Sequence, residues 1–251
     1  MCRDSSPELR LDTGEVLTKA RAVTAALAKL RADPDAGGWC RLPFFRDGEA
    51  DRIAAELDRL CAAGVSLAPP PAMIFRALEL TPLERVKAVI LGQDPYPKAG
   101  DAHGLAFSYV GPKAVPASLR VIFRELCDDI GCPAPGHGDL TAWARQGVLL
   151  LNAALTTETG TSGAHMRLGW SALVDEVVGA VSAQRGAVAF LLWGATARSR
   201  AGLIDRTKHL IIDSGHPSPL NRARDFPGSR PFSRANEWLA SQGVEPVDWA
   251  L

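Results

Sequence analysis

Four short apolar runs constrain this chain more than any other feature: Val86 to Leu91, Val148 to Leu151, Val188 to Trp193 and Leu210 to Ile212. Each is nearly free of polar residues, the pattern of strands buried on both faces. Helical spacing separates them, at Ser118 to Ile130, Trp170 to Ala183 and Ala195 to Leu203, with Ser233 to Ala240 after the last. Strands that alternate with helices predict a doubly wound α/β fold. The expected architecture is a single-domain α/β/α sandwich around a central four-stranded, mostly parallel sheet.

Ahead of the first run the chain reads as helical. Val16, Ala20, Val23, Leu27 and Leu30 recur at helical spacing until Pro34, just before the Gly37-Gly38 loop. Ile53, Leu57 and Leu60 predict a second helix, and Pro69-Pro70-Pro71 a rigid connector. No apolar run approaches the roughly 20 residues of a membrane span, and the start (Cys2, Arg3, Asp4) has no signal-peptide core. Five cysteines form no paired framework, which suits a reducing compartment. A cytoplasmic monomer is expected. Cys127 and Cys132 are the only close pair, so no metal site is expected. Cofactor and hydrolase fingerprints (G-x-G-x-x-G, the P-loop, G-x-S-x-G, H-E-x-x-H) do not occur.

The formal net charge is zero, but it is unevenly spread. Residues 196 to 234 hold eight basic residues, Arg222 and Arg224 among them, against three acidic ones. That is a net of +5, and the remainder carries −5. Such a segment is either a solvated surface or a local patch that steers a polyanion.

The residues just after each predicted strand are more telling. Gly92-Gln93-Asp94-Pro95-Tyr96 succeeds the first, Asn152 ends the second and Gly194-Ala195-Thr196 succeeds the third. Ser214-Gly215-His216-Pro217-Ser218-Pro219-Leu220 lies beyond the fourth. Ligands of an open parallel sheet bind beyond the carboxyl ends of its strands, so an acid, an amide and an imidazole should share one crevice.

Each candidate also has a purely structural reading. Asp94 is a turn cap or a catalytic carboxylate. Asn152 ends a ladder or binds a ligand. His216, stiffened by Pro217 and Pro219, is a satisfied structural histidine or part of a preorganised site. Tyr96 and Phe107 are core aromatics by default. Leu220, apolar in a polar and basic loop, either packs down locally or serves as a wedge in a base stack.

Taken in order, five motifs resemble those of family 1 uracil-DNA glycosylases. They are Leu91-Gly92-Gln93-Asp94-Pro95-Tyr96, Ala102-His103-Gly104-Leu105-Ala106-Phe107-Ser108, Gly147-Val148-Leu149-Leu150-Leu151-Asn152, Leu191-Leu192-Trp193-Gly194 and His216-Pro217-Ser218-Pro219-Leu220. The likeness runs from about Leu42-Pro43 to Pro246-Val247-Asp248-Trp249. It implies a glycosylase-like domain over 41–251 and an N-terminal helical extension over 1–40.

The resemblance implies removal of uracil from single- or double-stranded DNA by hydrolysis of the N-glycosidic bond, with no metal or organic cofactor. The deoxyuridine must be flipped into a pocket. Leu220 would fill the vacated space, while Ser118, Ser218, Thr196 and Arg222 would hold DNA phosphates. In the pocket Phe107 would stack on uracil, the backbone at Gln93 would line one edge, and Tyr96 would exclude a 5-methyl group. The Asn152 amide would pair with O4 and N3–H. Asp94 would stabilise the cationic sugar and orient water, and His216 would donate to O2 of the leaving anion.

Three positions depart from the family pattern. Pro97 stands where a histidine is usual, Ala195 where a serine is usual, and Asn221 where a serine commonly follows the wedge leucine, which predicts weaker phosphate clamping offset by arginines such as Arg222. Two other functions share many of these residues: a glycosylase with altered base choice, and a catalytically weak binder of uracil-containing or single-stranded DNA. Retention of Tyr96, Phe107 and Asn152 argues against the first, and of Asp94 and His216 against the second.

Overall fold

The computed structural model describes residues 21–223 and 225–251. Val16, Ala20, Cys2 and Arg224 lie outside the described residues. Numbering only the longer helices, the order is α1 (Ala22–Ala32), α2 (Glu49–Ala62), β1 (Leu67–Ala68), β2 (Ala88–Gly92), α3 (Ala117–Ile130), β3 (Val148–Asn152), β4 (Thr157–Glu158), α4 (Trp170–Gln184), β5 (Ala189–Trp193), β6 (Leu210–Ser214) and α5 (Pro231–Ser241).

The central sheet runs β3-β2-β5-β6 with all neighbours parallel. β2, β3 and β5 are buried at every residue, as their unbroken apolar sequences predict. β6 is a correction to that expectation. It is an edge strand with Leu210 and Ile211 half-buried and Asp213 exposed. The expected helix from Ala195 to Leu203 is likewise broken, into a turn at Ala195–Arg198 and a 3₁₀ turn at Ala201–Leu203. Between them Arg200 turns inward, its guanidinium donating to Asp175, Ser171 Oγ and the Thr196 carbonyl. A two-stranded antiparallel pair, β1 with β4, was not legible in the sequence because each strand is only two residues long.

The core is continuous. Val23, Leu27 and Leu30 of α1 join it together with Ile53 and Leu57 of α2, the strand interiors and Leu173, Val177 and Val181 of α4. α5 packs on α3 and on β5 and β6. Strand order matters most for function. From β2 the chain crosses to β3 on one side, then returns to β5 on the other. β2 is therefore the switch point, and the crevice opens beyond its carboxyl end.

No helix among the described residues is long and apolar enough to cross a membrane. Nor, among them, is there a group of three or more His, Cys, Asp or Glu residues suited to a metal ion. Cys40, Cys61, Cys127 and Cys132 are free thiols.

Candidate active site

Beyond the end of β2 lies a hollow of about 160 Å³. Its walls include Gln93, Asp94, Tyr96, Phe107, Ser118, Asn152 and His216. Seven of the eleven residues singled out by the sequence thus meet in one place. Thr196, Ser218, Leu220 and Arg222 do not line it.

The backbone explains the convergence. Gly92 and Asn152 are the last register partners of β2 and β3. Two further bonds carry the ladder past the strand ends, Ala153 N–H to the Gly92 carbonyl and Ala154 N–H to that of Gln93, both 3.0 Å. The turn before Asp94 is therefore held as firmly as a strand. The Asn152 side chain crosses over Gly92 so closely that a Cβ there would collide with its amide oxygen. Asn152 is buried, yet its amide has no hydrogen-bond partner within the protein among the described residues. A buried amide that faces a hollow can both donate to and accept from whatever enters.

Asp94 is half-buried and fixed through one oxygen. Ser162 Oγ and Gly163 N–H both donate to its Oδ2, each at 2.7 Å. Neither partner was singled out from the sequence. The Thr-Ser-Gly turn lies almost 70 residues downstream (|i−j| of 68 and 69), and nothing local links it to Asp94. The available signal was the pair of glycines at 160 and 163, which mark a turn; both take up the left-handed region, at φ +90° for Gly160 and +75° for Gly163.

Phe107 is held at φ +62°, a left-handed conformation rare for an aromatic residue. Ala106 N–H donates to the Leu150 carbonyl and Tyr96 Oη to the Phe107 carbonyl, pinning the peptide on both sides. The ring lies between Trp193 and His216, with centroids 5.6 and 5.8 Å away. Ser108, next along, accepts from the Leu140 amide at 2.8 Å and pairs with His103 Nε2 at 2.5 Å. Arg76 only donates, so His103 Nδ1 accepts from it and Nε2 carries the proton. Burial is the main reason the His103 pKa falls to about 4, with Asp139 opposing it. Burial also pushes the Tyr96 phenol up, with Asp101 and Tyr109 adding to it.

His216 has the same tautomer for a similar reason. The Ser218 backbone N–H donates to its Nδ1 at 3.0 Å, which leaves Nε2–H as the donor. Burial lowers its pKa, favouring the neutral ring. Gly194 permits this placement, because a Cβ there would press on the His216 Cβ at 3.0 Å.

Beyond His216, Leu220 N–H donates to Ser218 Oγ and Asn221 N–H to the Ser218 carbonyl. The tight turn leaves Leu220 89% exposed. Arg222 is exposed nearby. The basic surface is smaller than the composition suggested: Arg200 pairs with Asp175, Lys208 with Asp205 and Arg230 with Asp129. Ser118 reaches the hollow from the first turn of α3, where unsatisfied backbone amides favour an anion.

The Uracil DNA glycosylase superfamily model matches residues 79–240. A protein named uracil-DNA glycosylase from Xanthomonas axonopodis pv. citri (strain 306) is 46% identical over 215 residues, 86% of this chain and 87% of its own. Another of that name, from Azotobacter vinelandii, is 50% identical over 195 residues, 78% and 84% of the two chains. The chain belongs to the uracil-DNA glycosylase superfamily. The fold agrees: the crystal structure of mimivirus uracil-DNA glycosylase superposes with a TM-score of 0.81 at 26% identity, over 99% of this chain and 97% of the other. The superfamily match spans β2 to most of α5, and hence every wall residue named above.

Proposed function

We propose that this chain is a family 1 uracil-DNA glycosylase. It flips deoxyuridine out of single- or double-stranded DNA and hydrolyses the N-glycosidic bond, releasing uracil and leaving an abasic site. The observation that carries this reading is the meeting of an anchored carboxylate, an unpaired amide and a neutral imidazole donor in one hollow. Residues 41–251 form the glycosylase unit, with α1 packed onto it, and a cytoplasmic monomer is part of the proposal.

In this reading uracil stacks on Phe107 and offers O4 and N3–H to Asn152. Cytosine has the reverse donor pattern there and would leave buried groups unpaired, an effective basis for rejection. Tyr96 fills the space of a 5-methyl group. As the C1′–N1 bond breaks, its electron pair goes to the uracil ring and positive charge grows on the sugar. Asp94 stabilises that charge and orients a water molecule, which forms the new C1′–O bond and gives up a proton that finally neutralises the released uracil anion. His216 Nε2–H donates to O2, where the leaving anion's charge collects. The uracil anion is delocalised, so one carboxylate and one imidazole suffice in place of the usual glycosidase pair of carboxylates.

On the DNA side, Leu220 enters the gap left by the flipped base, which offsets part of the few kcal/mol lost in unstacking. Ser118, Ser218, Thr196 and Arg222 contact phosphates. Pro97, in the position of the family's usual histidine, supplies neither an imidazole nor an N–H.

The test is incubation with oligonucleotides carrying one uracil, single- and double-stranded, followed by alkaline cleavage of abasic sites. Strand scission at the uracil alone is expected. Tight binding without scission would leave a silent binder, and scission at thymine or hypoxanthine an altered base choice.

A further inference from the structure

The proposed hydrolysis needs Asp94 in one orientation, yet a carboxylate on a loop can rotate freely. Here it cannot. Both donors that hold it converge on Oδ2, at 2.7 Å from Ser162 Oγ and 2.7 Å from Gly163 N–H. Among the described residues no protein donor reaches Oδ1. The two oxygens are thus divided, one for the protein and one for the substrate side.

The turn that carries Ser162 is itself fastened. Gly160 N–H donates to the Pro97 carbonyl at 2.8 Å, tying it to the Asp94 loop three residues beyond the acid. Thr157 Oγ1 donates to the Thr161 carbonyl at 2.5 Å and accepts from Ala164 N–H at 3.3 Å, closing the turn from beneath. At its far end Thr156 Oγ1 accepts from Trp170 Nε1 at 2.9 Å and pairs with His165 Nδ1 at 3.0 Å, all three side chains being buried. Ser162 is exposed at the tip of a rigid turn, and its hydroxyl is engaged by Asp94.

We propose that Ser162 is the positioning residue for the catalytic carboxylate, holding Oδ2 so that Oδ1 faces the sugar and the attacking water. The inference rests on the glycosylase reading and adds to it a residue that acts through Asp94. A hydrogen bond to a charged group is among the stronger kinds, and the Gly163 amide remains when the hydroxyl is lost. Ser162→Ala should therefore lower kcat on uracil-containing DNA by about tenfold. KM should change little, because the hydroxyl, although it borders the hollow, is engaged by Asp94 and acts through it. Ser162→Thr keeps the donor and should recover most of the rate.

A double-mutant cycle separates positioning from mere loop stability. In an Asp94→Asn background, adding Ser162→Ala should cost less than twofold. Equal losses in both backgrounds, or a Ser162→Ala enzyme with unchanged kcat, would overturn the assignment while leaving the glycosylase reading intact. Absence of uracil release by the unsubstituted protein would overturn both. The thermal midpoint of each variant, expected to match the parent, shows that the rates belong to folded protein.

Discussion

Gly92 and Asn152 are register partners at the ends of neighbouring parallel strands, and the side chain of the second occupies the space where the first would carry a Cβ. The absence of one methyl group thus decides where the Asn152 amide sits. Gly92→Ala would press on Asn152 and also meet the Ala106 Cβ at 2.9 Å, so the strand end cannot simply yield. We expect kcat/KM for uracil release to fall by about 100-fold, the scale on which a displacement of about 1 Å acts. Discrimination against cytosine should narrow at the same time. Steady-state assays on matched uracil and cytosine oligonucleotides provide the measurement.

His216 presents Nε2–H because the Ser218 amide occupies Nδ1. His216→Ala removes the donor that the proposed mechanism aims at the leaving base and should reduce kcat by about 100- to 1000-fold. DNA affinity should stay within a few-fold of the parent, since the proposed mechanism has the ring, which lines the hollow, meet the base and not the backbone. Single-turnover rates and fluorescence anisotropy separate the two quantities. A near-normal rate would remove the role assigned to this histidine.

Leu220 stands at the tip of its loop with Arg222 beside it. Leu220→Ala should depress activity on duplex DNA by about tenfold and on single strands far less, because only the duplex leaves a gap in a paired stack. Arg222→Ala should make the dependence of log affinity on log salt shallower by about one. A salt slope unmoved by the substitution would place Arg222 off the phosphate path.

Acid should destabilise the fold through buried histidines. The folded-state pKa of His103 is about 4, against an unfolded value near 6.5, mainly because of burial. Below pH 6.5 the unfolded chain takes up a proton that the folded one refuses, so stability is fully present above that pH and declines as pH falls toward 4. The slope for one such group is about 1.4 kcal/mol per pH unit. His165 and His216, also depressed chiefly by burial, act in the same direction. Urea midpoints between about pH 7 and 4.5 should fall in the parent and fall less in His103→Gln.

Much of this architecture is legible in the sequence. Unbroken apolar runs located β2, β3 and β5, and the residue types after each strand marked the crevice. Three features were not legible. β6 carries Asp213 outward while β3, the other edge strand, is buried throughout, so the difference lies in how the faces are covered by packed elements and not in the apolar run itself. The helix after β5 breaks because Arg200 finds Asp175 and Ser171 across the fold. Ser162 escaped notice because its partner lies far away in sequence, and a serine in a turn carries no signal of its own. Local patterns reveal elements and their ends; hydrogen bonds between distant loops do not register in them.

The order of strands has one last consequence. Acid and amide hang from β2 and β3 at one side of the sheet, whereas the imidazole comes after β6 at the other, with β5 between them. β6 is also the central strand least covered by packing. Fraying at that margin would carry off the imidazole while the rest of the molecule stays folded. On warming, turnover should vanish before the far-ultraviolet signal does, so the enzyme falls silent from its rim inward.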